Sequence, residues 1–130
     1  MRFAKWTFLI AGIYGLLVLT PQFFLERRIG VDQPPPITHP EHFYGFVSVA
    51  VAWQVLFLLI GRDPVRLRPA MLPALLEKLG FAVAVPILYA QGRVAPVIVP
   101  FAALDGLLLI LFLVAYLKTP DREAAAAERE

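Results

Sequence analysis

The stretch APVIVPFAALDGLLLILFLVAYL, residues 95–117, decides the fold class, because Asp105 is the only charged residue in an otherwise apolar run. About 20 such residues, each rising 1.5 Å along an α-helix, cross the roughly 30 Å hydrocarbon core of a bilayer. Working back toward the amino terminus, residues 4–22, 42–61 and 72–90 form three more runs of the same character. The whole chain of 130 residues is 59% hydrophobic and 17% charged, with a mean hydropathy of +0.71, which is too apolar for a water-soluble domain of this length. These features predict an all-α polytopic membrane protein: one four-transmembrane-helix bundle over residues 1–120 and a charged tail over 121–130. No separate soluble catalytic domain is expected within these 130 residues.

Other classes fall away on composition. With no cysteine, the chain has no disulfide, thiolate metal site or thiol redox chemistry. A net charge of +2 is too small to suggest nucleic acid as a partner. The basic start at Arg2 and Lys5 followed by an apolar run also fits a secretory signal peptide, but Val18-Leu19-Thr20 is not a small-x-small cleavage site, so a retained span is expected.

The connections differ in kind. Residues 26–40 contain Pro34-Pro35-Pro36, which lacks the backbone donors of a helix, and the segment is expected to be the longest loop, extended in polyproline fashion. After Gly61-Arg62, Asp63 is expected to cap a short helix with Pro64 at its first position, lying on the membrane surface. Gln91-Gly92-Arg93 reads as a tight turn, and Pro86 is expected to bend the third span. The tail, residues 121–130, is a good helix former of mixed charge with too little apolar surface to pack, and reads as solvated.

Asp105 is the leading candidate for chemistry, since a carboxylate near the bilayer centre costs about 2.5–3.5 kcal/mol on insertion scales. It is expected to face the bundle interior, protonated unless a cation or strong donor reaches it, with Ala102 and Gly106 allowing close helix approach. Its alternative role is that of a hydrogen-bonded lock between two helices. Glu77 and Lys78 are adjacent and therefore point about 100° apart, so each is expected to find a different partner. If the third helix starts at Pro73, Glu77 lies little more than a turn inside, and Lys78 can snorkel to the inner surface. Gln54 has a depth suited to a hydrogen bond with Glu77. Trp53, Tyr44 and His42 complete the set of candidate ligand-binding residues on the second span. His39, Glu41 and His42 together offer imidazole and carboxylate donors, but Pro40 interrupts them and no second histidine pair exists, so no metal site is expected. No cofactor is expected either.

In size and four-span layout, with Glu77, Lys78 and Asp105 in its second half, the chain resembles the small bacterial membrane proteins grouped as DoxX-like. That resemblance covers the topology and implies an accessory role in the membrane, with quinone-linked oxidation as one association. The emopamil-binding and sigma-2 type and the small multidrug transporters are also four-helix proteins with acidic residues in the membrane. In both comparisons this chain departs by having no acidic residue in its first span. The expected function is therefore non-enzymatic: binding a lipophilic small molecule such as a quinone, or serving as an accessory subunit of a membrane complex, with membrane lipids, a membrane protein or a second copy as partners. The alternative is a small membrane enzyme on a lipid or sterol-like substrate, with Glu77 or Asp105 as acid or base.

Orientation follows from the basic residues. Arg2, Lys5, Arg62, Arg66, Arg68, Lys118, Arg122 and Arg129 fall on one side and Arg27, Arg28 and Arg93 on the other, so eight face three and both termini are expected in the cytoplasm. Trp6, Tyr44 and Tyr89 suit the interfacial aromatic belts. A cysteine placed at Gln33 should accordingly react with a membrane-impermeant maleimide in intact spheroplasts, while a phosphatase fused after Glu130 stays inactive. The opposite pair of results would reverse the topology.

Overall fold

The four apolar runs become four long helices. In the computed structural model, which describes residues 2–129, α1 spans Arg2–Leu19, α2 Glu26–Asp32, α3 Pro40–Arg62, α4 Met71–Ala90, α5 Val99–Lys118 and α6 Arg122–Ala127. Short 3-10 turns at Thr20–Phe24, Arg68–Ala70 and Pro96–Ile98 extend α1, α4 and α5, so that four stretches of 23 residues are long and apolar enough to cross a membrane. There is no β-strand among the described residues. The fold is an all-α bundle of four membrane-length helices.

Two of these helices meet through the absence of side chains. On α1, Ala4, Phe8, Ala11, Gly12 and Gly15 form a buried stripe at helical spacing. A Cβ on Gly12 would stand 2.8 Å from the Gln54 carbonyl oxygen, and one on Gly15 would stand 1.8 Å from Gln54 Oε1, so α1 and α3 approach as closely as bare backbone permits. From the other side, a Cβ on Gly61 would lie 2.7 Å from Leu9 Cγ. In hydrocarbon, where lipid is as apolar as leucine, such packing and interhelical polar contacts take over from the hydrophobic effect in joining helices.

Beside this contact lies an aromatic core. Phe8 of α1 stacks on Phe112 of α5 with centroids 4.2 Å apart, and Phe57 of α3 meets Phe112 edge-on at 5.0 Å. Such pairs contribute about 0.5–1.5 kcal/mol each beyond their burial. Helix α5 thus contacts α1 on one flank and α4 on the other, whereas α3 and α4, although consecutive in the chain, make few close approaches. Toward the ends carrying the termini, Arg68 donates from Nε to the Tyr116 carbonyl oxygen at 3.3 Å and lies 4.0 Å above the Tyr116 ring, and Lys118 sits 5.0 Å above Phe3. Trp6 and Tyr89 are exposed near opposite ends of their helices.

Several connections differ from expectation. The segment expected to be extended begins with a helix, α2, because the prolines start only after Asp32 and so end the helix instead of preventing it. Arg28 Nε donates to Asp32 Oδ2 at 2.8 Å across one turn of it. The expected capped helix after Asp63 is only a run of turns: Asp63 Oδ1 accepts from the Arg66 amide at 3.2 Å, and a 3-10 turn leads directly into α4. Helix α4 continues through Pro86. Its end is a turn at Gly92, whose φ of 69° is the left-handed conformation that glycine adopts without strain. The tail forms the short helix α6, capped by Asp121 Oδ1 accepting from the Ala124 amide at 2.7 Å.

The glycine contact makes a graded test. Gly12→Ala places a methyl against backbone and should lower stability by about 1–3 kcal/mol in detergent unfolding experiments. Gly45→Ala, on an open face of α3, should be neutral or slightly stabilising. Equal effects at the two positions would mean that α1 and α3 are not this close.

Candidate functional site

Lys78 is the residue around which the membrane carboxylates gather. Its Nζ donates to Asp105 Oδ1 at 3.2 Å and lies 3.5 Å from Glu77 Oε2, with side-chain exposures of 6% for Lys78, 17% for Asp105 and 21% for Glu77. The ammonium also stands 5.4 Å from the centre of the Phe57 ring on α3. One cation thus touches α3, α4 and α5 at once.

Depth explains why these groups meet. The span containing α4 begins at Arg68, not Pro73, so Lys78 lies ten residues or about 15 Å from its first residue, in the middle of the crossing. At that depth the expected snorkelling to the surface is out of reach for the side chain, and a carboxylate on the neighbouring helix is the available partner. The expectation that Glu77 and Lys78 would look to separate neighbours is also corrected, because the flexible lysine stem bends its ammonium back between both acids. Asp105 faces the interior as expected, with the cation supplied by Lys78.

The charges do not balance. One ammonium faces two carboxylates, and Glu77 Oε2, although buried, lacks a hydrogen-bond partner. The geometry can stabilise the contact between α4 and α5 through the Lys78–Asp105 pair.

The remaining candidates are dispersed. Gln54 does not reach Glu77: it is fully buried between α1 and α3, its Nε2 donates to the Ala50 carbonyl oxygen at 3.0 Å, and its Oε1 has no hydrogen-bond partner, lying where a side chain on Gly15 would otherwise stand. Trp53 packs on the core with its ring 6.3 Å from Phe57. Tyr44 donates to Glu26 Oε2 at 2.8 Å and so ties α2 onto the amino-terminal end of α3. His42 is exposed at that same end, beside His39 and Glu41. Pro40 does not interrupt this trio; it is the first residue of α3.

Two surface hollows stand out, and neither is lined by Glu77, Lys78 or Asp105. One, of about 420 Å³, lies between the first half of α1 and the middle of α5, against Phe3, Trp6, Ile10 and Leu108. The other lies under α2 between Arg27, Gly30 and Pro36. Comparison with known protein families, with curated proteins and with solved structures finds no match.

Removing the cation should be more damaging than removing the pair. Lys78→Met leaves two buried acids facing each other and is expected to lower unfolding stability by about 3–5 kcal/mol, whereas Lys78→Met combined with Asp105→Leu should recover most of that loss. Additive losses in the double variant would show that the two side chains do not interact.

Proposed function

We propose that this chain is a non-enzymatic, DoxX-like integral protein of the inner membrane that serves as an accessory subunit of a larger membrane complex. The observation that carries this reading is the closed charge cluster. Asp105 is engaged by Lys78, and the hollows of the bundle open elsewhere. A catalytic acid or base requires a pocket that brings at least two polar groups to one substrate atom, so Glu77 or Asp105 as such a group is the weaker alternative. The eight-to-three distribution of basic residues supports both termini in the cytoplasm.

The outward faces of the helices are built for contact with lipid or with another membrane helix. Ile10 and Leu17 on α1, Phe46 on α3, Leu76 on α4 and Ile110 on α5 are all exposed large apolar residues. On α4, Gly80 and Ala84 are exposed on the face shared with Glu77, and nothing lies within 4 Å of a Cβ at Gly80. A partner helix, from another protein or from a second copy, can approach this notch closely. One observation favours the lipophilic-ligand reading as second choice: α3 and α4 make few close approaches, and Glu77 Oε2, 3.5 Å from the Lys78 ammonium, accepts no hydrogen bond. A quinone carbonyl offers no donor to that oxygen, whereas a hydroquinone hydroxyl does.

A photo-crosslinking amino acid at Leu76 or Val83, on the outward face of α4, should give a discrete adduct with a membrane protein in native membranes, and the same probe at Leu17 should give lipid adducts. Lipid adducts from every position, together with a stoichiometric quinone in the purified protein, would replace the subunit reading with the ligand one.

A further inference from the structure

At the end of α3 remote from the charge cluster, the chain places three metal-binding side chains around one point. His39 precedes the helix, Pro40 opens it with φ fixed by its ring, and Glu41 and His42 follow in the first turn. The His39 carbonyl oxygen accepts from the amides of His42 at 3.0 Å and Phe43 at 3.1 Å, so the backbone carrying all three side chains is held in one conformation.

The side chains converge on a single carboxylate oxygen. His39 Nδ1 lies 3.4 Å and His42 Nδ1 3.6 Å from Glu41 Oε1, and one ligand atom from each residue falls within 4.8 Å of the others. The imidazole rings are 5.3 Å apart and inclined at 64°. Nitrogen and oxygen ligands at about 2.0–2.1 Å from one tetrahedral ion are separated by about 3.3 Å. The two nitrogen–oxygen spacings to Glu41 are close to that value and long for hydrogen bonds. Glu41 also places negative charge at the helix amino end, where it is electrostatically favoured and where it offsets the charge of a bound cation.

We propose that His39, Glu41 and His42 form a binding site for a divalent transition-metal ion, with zinc as the best chemical match. Two imidazoles and one carboxylate suit zinc, nickel or copper, and they disfavour calcium and magnesium, which prefer all-oxygen shells. Three protein ligands leave at least one coordination position for water. All three side chains are exposed, so the ion can enter and leave without rearrangement of the bundle.

The chain contains two histidines and no cysteine, which leaves little background for a direct measurement. Zinc chloride titrated calorimetrically into the untagged, detergent-solubilised full chain should bind with one equivalent per chain, while calcium chloride under the same conditions gives no saturable heat. His39→Ala, His42→Ala and Glu41→Gln should each weaken zinc binding by more than about tenfold. Because these residues are exposed, the variants should keep the helical circular dichroism and the metal-free melting temperature of the parent chain. Zinc should raise the melting temperature of the parent and not of the histidine variants. Absence of saturable zinc binding, an affinity unchanged by His42→Ala, or equal binding of calcium would each overturn the site and leave His39, Glu41 and His42 as a solvated polar cluster.

Discussion

The contact between Lys78 and Asp105 is the constraint on which the second half of the bundle depends. Neither charge is tolerable alone at that depth, so α4 and α5 must lie side by side with these residues at one level. The register then follows, and with it the level of the short turn at Gly92. Phe57 on α3 feels the same ammonium, which draws an otherwise loosely joined pair of helices toward a common centre.

The first half is held by different physics. No charge is buried between α1 and α3; instead Gly12, Gly15 and Gly61 remove the side chains that would keep the backbones apart. The price is a polar atom, Gln54 Oε1, left facing Gly15 without a conventional donor. The aromatic core of Phe8, Phe57 and Phe112 joins the two sides, so a change at the ion pair is felt at α3 through Phe57.

Much of this was legible in the residues. Four spans followed from the length of the apolar runs, and the interior placement of Asp105 followed from the energy of a carboxylate in lipid. The pairing of Lys78 with Asp105 was also within reach. A hairpin folded at Gln91 and Gly92 places positions 78 and 105 at equal distances from the turn, whereas reading each helix from its own end hides that symmetry. The helix α2 was obscured by the three prolines that end it. Gln54 was misplaced for a different reason: depth alone does not say which face of a helix a side chain occupies, and the small residues of α1 settle that. At His39, a proline read as an interruption proved to be the helix start that gathers its neighbours.

The pairing of α4 with α5 has a consequence for how the protein is made. A nascent chain leaves the insertion machinery for lipid segment by segment, and a lone α4 carrying Glu77 and Lys78 at mid-depth would be a poor candidate for release. It becomes acceptable to lipid once α5 arrives and Asp105 meets the ammonium. The last two helices therefore enter the bilayer as one unit, and the apolar pair formed by α1 and α3 is already in place to receive them.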